Sequence, residues 1–231
     1  MIGGTIYQVV FFDAFNTLFS LRWPGVPRPT RLPRQQTVKQ FLHHLDADLQ
    51  AAYGRAHAGQ PGEASLTTRL FAALADWTGL ARTGPLALLR RNEGTVRHWL
   101  SVYSDTLSTL QVLSEICKLG IISNAWPYLE SLLRLLGLWD YFESVIISAQ
   151  VGLCKPNPAI YELALQTLRL SAEQAIFVDD LPANVVVADR LGFKALWLVR
   201  TRTKGEDIPE AYRSLPQIYS LEQVIPLVLG V

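Results

Sequence analysis

Short runs of apolar residues recur along the chain, and most of them end at a polar residue. The first run, residues 6–12, is β-branched and aromatic and is followed by Asp13. A continuous apolar run of this length is typical of a strand that is buried on both faces of a parallel sheet. Four comparable runs predict further strands at residues 119–123, 144–148, 175–179 and 195–199.

Apolar residues at helical spacing occupy the intervals between these runs. They predict helices at residues 106–118, 128–136, 159–168 and 183–191. Strands that alternate with helices of about 10–15 residues form parallel sheets with right-handed crossovers. The chain is therefore predicted to have an α/β fold with a doubly wound parallel sheet.

The interval from residue 20 to residue 100 breaks this alternation. It opens with four prolines, which predict an irregular and exposed stretch: Pro24, Pro27, Pro29 and Pro33. Helices are then predicted at residues 36–53, 66–77 and 86–100, and no run in the interval reads as a strand. We therefore expect an α/β core formed by residues 1–19 and 101–231, with an all-helical insertion at residues 20–100.

Composition narrows the class of protein and its partners. The chain has 231 residues, of which 49% are hydrophobic and 18% charged, which is typical of a folded globular protein. A net charge of +1 provides no overall attraction to nucleic acid or to an anionic membrane, so neither is a predicted partner. Two cysteines, Cys117 and Cys154, and the lack of a long apolar segment predict a soluble, cytoplasmic protein. Oligomeric state has no signal in the sequence.

Acidic and hydroxyl residues follow three of the predicted strands: Asp13, Ser123 and the pair Asp179–Asp180. In an open parallel sheet, ligands bind beyond the carboxyl ends of the strands, although each residue alone could also cap a helix. Two adjacent carboxylates repel each other unless a cation is close, and Mg²⁺ is a hard cation that prefers such ligands. Lys155, in a loop before a helix, either supplies a positive charge there or is an ordinary solvated residue.

Four segments together carry a family resemblance. They occur in order along the chain: VVFFDAFNTL at 9–18, IISN at 121–124, KPNPAIYELAL at 155–165 and FVDDLPANVVVADRLGF at 177–193. This ordered set resembles the four motifs of the haloacid dehalogenase-like hydrolase superfamily. The resemblance implies a Rossmann-like core, with the helical insertion forming a cap domain over the active site.

The resemblance also implies a role for each motif residue. Asp13 would be the nucleophile and would form a covalent aspartyl intermediate. Thr17 and Ser123 would hydrogen-bond the nucleophile or the transferred oxygens, and Lys155 would balance negative charge. Mg²⁺ would be held by three carboxylates and one backbone carbonyl: those of Asp13, Asp179 and Asp180, and that of Phe15.

Residues near these motifs are candidates for contact with a small phosphorylated or halogenated substrate. They are Phe15, Asn16, Asn124 and Trp126. Asn16 stands where the family often has glycine, so a left-handed backbone conformation is expected there. Asn184 either orients a carboxylate of the site or supports the helix in which it lies.

One position departs from the pattern of the superfamily's phosphatases. They carry a second aspartate two residues after the nucleophile, as general acid and base, and here that residue is Phe15. An aromatic residue at this position, together with Tyr161, resembles the 2-haloacid dehalogenases, although an acidic pair would repel a haloacid carboxylate.

Three functions remain open. The first is a Mg²⁺-dependent phosphohydrolase, and the second is a catalytically weak protein that binds a phosphorylated ligand or a partner. The third is a metal-independent dehalogenase, which would use Asp13, Thr17, Ser123, Lys155 and Tyr161.

Overall fold

A six-stranded parallel sheet forms the centre of the computed structural model, which describes residues 7–21, 46–48, 50–51, 100–125, 129–200 and 210–230. The strands are β1 (Val9–Phe12), β2 (Phe19–Leu21), β3 (Leu100–Val102), β4 (Lys118–Ser123), β5 (Ser144–Ile147), β6 (Ala175–Asp179), β7 (Lys194–Leu198) and β8 (Gln217–Ile218). Their order in the main sheet is β5-β4-β1-β6-β7-β8, and every pairing is parallel. β1 therefore lies inside the sheet, next to β4 and β6.

Helices cover both faces of the sheet. They are α1 (Thr106–Ser114), α2 (Leu129–Leu135), α3 (Ser148–Val151), α4 (Pro158–Leu168), α5 (Pro182–Arg190) and α6 (Ile225–Leu229). Val10 and Phe12 share a buried cluster with Leu110 of α1, whereas Val9 and Phe11 share another with residues of α4 and α5. Because alternate residues of a strand point to opposite faces, β1 is buried on both sides. The doubly wound α/β fold is confirmed.

Local sequence determines where α4 and α5 begin. The Asn157 side chain accepts a hydrogen bond of 3.0 Å from the backbone N–H of Ala159, so it caps α4, and Pro158 occupies the first turn. Proline suits that turn because its missing N–H would have no helical partner. Pro182 begins α5 in the same way. Both helices thus start directly after the loops that carry Lys155 and the Asp179–Asp180 pair.

A glycine in β4 makes room for an aromatic ring of the neighbouring strand. A Cβ atom at Gly120 would lie 2.5 Å from the Phe11 side chain, which is far inside van der Waals contact. Phe11 in turn belongs to the buried cluster shared with α4 and α5. A larger residue at position 120 would therefore displace the ring of Phe11, which belongs to the strand that leads to Asp13.

The five predicted core strands correspond to β1, β4, β5, β6 and β7, and the four predicted helices to α1, α2, α4 and α5. The prediction was wrong at the end of α1, which was expected to continue to residue 118. The helix ends at Ser114, and the backbone N–H of Lys118 instead donates to the carbonyl of Gln8, where β4 begins beside β1. Three short elements, β8, α3 and α6, were not predicted.

Two further strands lie where the chain enters and leaves the predicted insertion. β2 and β3 form an antiparallel pair in which Phe19 is opposite Val102 and Leu21 is opposite Leu100. The prediction that no strand occurs in residues 20–100 is thus wrong at both ends, and the predicted helix 86–100 does not include Leu100. Each strand has only three residues, too few for a periodic pattern to be recognised.

Most of the predicted insertion lies outside the described residues. Residues 47–48 and 50–51 are helical, in agreement with the predicted helix 36–53. The proline-rich stretch, the predicted helix 66–77 and residues 86–99 of the third lie outside them, so the cap remains a prediction. No helix in the described parts of the chain combines the length and apolar character needed to cross a bilayer.

Candidate active site

The carboxyl ends of β1 and β6 border a crevice in the fold. After β1 the chain leads to α1 on one face of the sheet, whereas α5, directly after β6, packs on the other face. Such a reversal between neighbouring strands opens a crevice at their carboxyl ends, where open α/β sheets bind ligands. The Asp13 N–H donates to the carbonyl of Val178 at 2.9 Å, which sets Asp13 beside Asp179. The predicted convergence of strand ends is therefore confirmed for these two residues.

Lys155 is the buried cation of this crevice. Its side chain is 1% exposed, and its Nζ donates to Asp13 Oδ1 at 2.8 Å and to Asp179 Oδ2 at 2.6 Å. Burial alone would lower the pKa of this ammonium, but the two carboxylates outweigh burial and raise the pKa above its ordinary value. Lys155 therefore stays charged and balances negative charge, as the sequence predicted.

Asp13 is held through one of its two carboxylate oxygens. Ser123 Oγ donates to Asp13 Oδ1 at 3.0 Å, and the Lys155 ammonium reaches the same atom. Neither bond involves Oδ2, and the residue is 8% exposed. This arrangement fixes the orientation of the carboxylate while leaving one oxygen for a reaction partner. The predicted hydrogen bond between Ser123 and Asp13 is confirmed.

Asp179 holds Lys155 in place from the other side. The residue is fully buried; its Oδ2 accepts from Lys155 and from Asn184 Nδ2 at 2.9 Å, and its Oδ1 accepts from the Leu181 N–H at 2.8 Å. Burial, together with the charge of Asp13, raises the pKa of Asp179 to about 6, although Lys155 opposes this rise. Asn184 orients this carboxylate, as one of the two sequence interpretations proposed.

Two side chains support the backbone of the site. Asn124 Nδ2 donates to the carbonyl of Lys155, and Asn124 Oδ1 accepts from the N–H of Lys155, both at 2.7 Å. Trp197 Nε1 donates to the carbonyl of Asp180 at 3.1 Å. Asn124 thus positions Lys155, and its contact with substrate stays a prediction. Trp126, the other candidate on this loop, lies outside the described residues.

The loop after β1 carries three of the predicted residues. Asn16 has a φ of 61°, which confirms the left-handed conformation expected there. The half-buried ring of Phe15 packs edge-on against Phe19, with 4.9 Å between ring centroids. Thr17 Oγ1 is buried and has no hydrogen-bond partner among the described residues. An unsatisfied buried hydroxyl is costly, so a ligand oxygen would be a favourable partner for it.

Three carboxylates lie close together at this end of the sheet. Oxygen atoms of Asp13, Asp179 and Asp180 lie within 4.8 Å of one another, and Lys155 is the cation to which two of them are bonded. Three carboxylates at this separation form a set of oxygen donors. That donor set suits a hard divalent cation such as Mg²⁺.

Tyr161, predicted as a residue of a dehalogenase site, is part of the core. Its hydroxyl donates to the carbonyl of Asn184 at 3.0 Å, and its ring packs edge-on against Phe177 and Phe193. Burial, with smaller effects from the charges of Asp179 and Asp13, raises the pKa of this phenol. The hydroxyl is therefore protonated and engaged with the backbone of α5.

Sequence reasoning missed the residues that act on this site through its backbone. Trp197 bonds to Asp180 across 17 positions, and Arg200 bonds to the carbonyl of Thr17 across 183 positions. Neither residue belongs to a motif, and neither partner is a neighbour along a helix or strand. Only the assembled sheet brings these pairs together.

The fold and the site define a class of α/β protein, in which a buried ammonium holds a carboxylate at the carboxyl ends of the strands of a parallel sheet. The model of the haloacid dehalogenase-like hydrolase family matches residues 7–192, and the chain belongs to this family. The family resemblance of the four sequence motifs is confirmed.

Relatives of the chain include enzymes of two kinds. It is 32% identical over 122 residues to glyceraldehyde 3-phosphate phosphatase of Methanopyrus kandleri. That match covers 48% of this chain and 52% of the phosphatase. It is 30% identical over 110 residues to (S)-2-haloacid dehalogenase 2 of a Pseudomonas species, covering 47% and 48%. The chain thus matches about half the length of each of these relatives.

Solved structures agree with the fold. The structure of L-2-haloacid dehalogenase from Xanthobacter autotrophicus has a TM-score of 0.68 with this chain, at 23% identity, and covers 97% of this chain and 99% of that one. A likeness at this level of identity concerns the fold alone. Because the fold does not distinguish phosphate chemistry from halide chemistry, the residues of the site must decide between them.

Proposed function

We propose that the protein is a Mg²⁺-dependent phosphohydrolase of small phosphorylated metabolites, with Asp13 as covalent nucleophile. The observation that carries this proposal is the cluster of three carboxylates, those of Asp13, Asp179 and Asp180, whose oxygen atoms lie within 4.8 Å of one another. An anionic substrate would be repelled by such a site unless a divalent cation accompanied it. The relationship to a glyceraldehyde 3-phosphate phosphatase supports the same choice.

The reaction proceeds in two displacements at phosphorus. Asp13 Oδ2 attacks the phosphorus atom, and the bond from phosphorus to the leaving-group oxygen breaks, which leaves an aspartyl phosphate. Water then attacks the same phosphorus atom, releases inorganic phosphate and restores the carboxylate. Ser123 and Lys155 hold Asp13 Oδ1 during both steps, and Thr17 Oγ1 donates to a phosphoryl oxygen.

A bound Mg²⁺ would neutralise negative charge on the phosphoryl oxygens. The residues that fit it are Asp13, Asp179 and Asp180. The backbone carbonyl of Phe15 is the further ligand that the family resemblance implies. Asp179 already accepts two hydrogen bonds at Oδ2 and one at Oδ1. Asp180 and Asp13 are the more accessible ligands, since Asp179 is fully buried.

Phe15 narrows the substrate class. A phenyl ring can neither protonate a leaving oxygen nor deprotonate water, and the loss of a general acid or base costs about 10²–10⁴-fold in rate. Acyl phosphates need no proton on the leaving group, because a carboxylate departs as a stable anion. We therefore expect acyl phosphates to be better substrates than esters of alcohols.

A second candidate is a 2-haloacid dehalogenase, favoured by the aromatic residue Phe15 after the nucleophile and by the dehalogenase relative. Halide also leaves without a proton. Two observations weigh against it. The acidic pair Asp179–Asp180 would repel the carboxylate of a haloacid, and the hydroxyl of Tyr161 is bonded to the backbone of α5.

Phosphate release from acetyl phosphate and p-nitrophenyl phosphate, measured with Mg²⁺ or with EDTA, tests the proposal. We expect release that depends on Mg²⁺ and is faster with acetyl phosphate. Halide release from 2-chloropropionate without metal would instead establish the dehalogenase. Silence with all three compounds would favour a protein that binds a phosphorylated ligand or a partner without turnover.

The affinity for Mg²⁺ is expected to fall as the pH decreases through about 6. Asp179 has its pKa raised to about 6, so it is charged above that pH and binds a proton below it. A protonated carboxyl is a poor ligand, and the loss should approach about tenfold per pH unit below the pKa. Isothermal titration of the protein with MgCl₂ between about pH 5 and pH 8 measures this. An affinity that does not change over this range would exclude Asp179 from the site.

A further inference from the structure

A second ion pair, largely buried, is bonded to the loop that follows β1. Arg200 lies two residues after β7, and its Nη1 donates to Asp105 Oδ2 at 2.9 Å. Its Nε and Nη2 both donate to the backbone carbonyl of Thr17, at 3.1 Å and 2.6 Å. The guanidinium also stacks on the ring of Tyr103, 3.9 Å from the ring centroid. The hydrogen bonds of Arg200 thus go either to Thr17, in the loop after β1, or to Asp105, which we call the anchor of this loop.

The anchor itself is fixed to the rest of the core. Asp105 Oδ2 also accepts from the backbone N–H of Leu221 at 2.8 Å. The side chains of Asp105 and Arg200 are 10% and 9% exposed, so water screens their attraction only weakly. Removal of one partner would leave the other charge buried and unpaired, which is strongly unfavourable.

The next carbonyl along the loop is held by the same segment of the chain. Leu18 O accepts from Thr106 Oγ1 at 2.7 Å and from the N–H of Tyr103 at 3.2 Å. The carbonyls of Thr17 and Leu18 are therefore both held, one by Arg200 and one by residues at the start of α1. Two fixed successive carbonyls define the peptide planes on both sides of the Leu18 Cα and limit rotation of this loop.

An arginine is suited to holding a backbone carbonyl in a fixed direction. Its planar guanidinium offers several donors in a fixed geometry, whereas a lysine offers one point charge on a flexible stem. Two charge-assisted hydrogen bonds to one carbonyl hold its direction more firmly than a single bond would. The residue whose carbonyl is held, Thr17, carries the buried hydroxyl that has no partner in the described residues.

We propose that Arg200 is a positioning residue for the reaction at Asp13, and that it acts through Thr17. By fixing the Thr17 carbonyl, Arg200 fixes the residue whose hydroxyl the proposed function assigns to the transferred group. The hydroxyl is then correctly placed before substrate binds, instead of being ordered during the reaction. This inference rests on the proposed function, because it assigns the Thr17 hydroxyl to a phosphoryl oxygen.

Arg200→Lys is the first test, with acetyl phosphate and Mg²⁺ as the assay. Small displacements of catalytic groups cost up to about 10²-fold in rate, so we expect kcat to fall about 10- to 100-fold while KM stays within about twofold. Arg134→Lys is the matched control, because Arg134 also forms an ion pair and also stacks on a ring, but on the surface. It should leave both constants unchanged.

A double-mutant cycle with Thr17→Val separates positioning from a general loss of structure. If Arg200 acts through Thr17, Arg200→Lys should slow the parent but have almost no further effect in the Thr17→Val protein. Equal effects in both backgrounds, or a Thr17→Val protein with full activity, would overturn the proposal. Asp105→Asn weakens the anchor without removing Arg200, so it is also expected to lower kcat with acetyl phosphate. It replaces Arg200→Lys in the test if that variant does not fold.

Hydrogen exchange tests the positioning without turnover. The amides of Leu18 and Phe19 both donate to the carbonyl of Ala14, so they report on the conformation of the loop. Their exchange should be faster in Arg200→Lys and unchanged in Arg134→Lys. If the parent is inactive toward every phosphate compound, the proposed function fails, and unchanged exchange at these amides would separately refute the role of Arg200.

Discussion

Asp13→Asn is expected to abolish phosphate release, with a fall of at least about 10⁴-fold in kcat, as is typical when a covalent nucleophile is removed. An amide is a poor nucleophile at phosphorus and cannot form the aspartyl phosphate. The substitution is almost isosteric, and position 13 can still accept the hydrogen bonds from Ser123 and Lys155. It also removes one of three crowded carboxylates, so the thermal unfolding midpoint in EDTA should not decrease.

Asp140→Asn is the matched control, because Asp140 is exposed and lies outside the site. It should retain full activity. Mass spectrometry of the parent, quenched in acid during turnover of acetyl phosphate, should find the phosphoryl group on the peptide that contains Asp13. Removal of a covalent nucleophile leaves far less than about 1% of the activity. A residual activity of Asp13→Asn above about 1% would therefore mean that another group attacks the phosphorus.

Phe15→Asp is expected to raise the rate with phosphate esters of simple alcohols by about 10²–10⁴-fold, the usual contribution of a general acid and base. The new carboxyl would stand two residues after Asp13, on the same loop, and could protonate an alkoxide that otherwise leaves poorly. Acetyl phosphate should gain much less in the first displacement. The ratio of the two rates, measured with glycerol phosphate and acetyl phosphate, therefore reports the change in substrate class.

Phe15→Asn separates proton transfer from a change of shape. Both variants lose the edge-on contact with Phe19, which is worth about 0.5–1.5 kcal/mol, so their stabilities should fall by similar amounts. Only the aspartate can exchange a proton with the substrate. Equal rates for the two variants would show that Phe15 limits the reaction by its bulk, or that the acid is supplied elsewhere.

The fold was largely predictable because its central strands are buried on both faces. Such strands are continuous apolar runs, and β6 was predicted at its observed bounds, Ala175–Asp179. The elements that were missed have a different physical basis. β2, β3 and β8 have three or fewer residues, and their register comes from the neighbouring strand instead of from a pattern of their own.

Within the site, the residues at strand ends were predictable and their supports were not. Asp13 and Ser123 could be placed together because parallel strands end at the same edge of a sheet. Arg200 and Asp105 are 95 positions apart, and each is unremarkable in its local sequence. A buried arginine is recognised only when the acceptors that surround it are known.

The reciprocal pair between Asn124 and Lys155 has a consequence for the energetics of turnover. The N–H and the carbonyl of Lys155 both bond to one side-chain amide, while two carboxylates hold its ammonium. A free lysine side chain carries about 2 kcal/mol of rotamer entropy, and here that entropy is lost when the protein folds. As a result, the positive charge of Lys155 requires little reorganisation when charge moves along the reaction coordinate. The same clamp costs stability in the resting protein, because the entropy of this side chain is lost before any substrate binds.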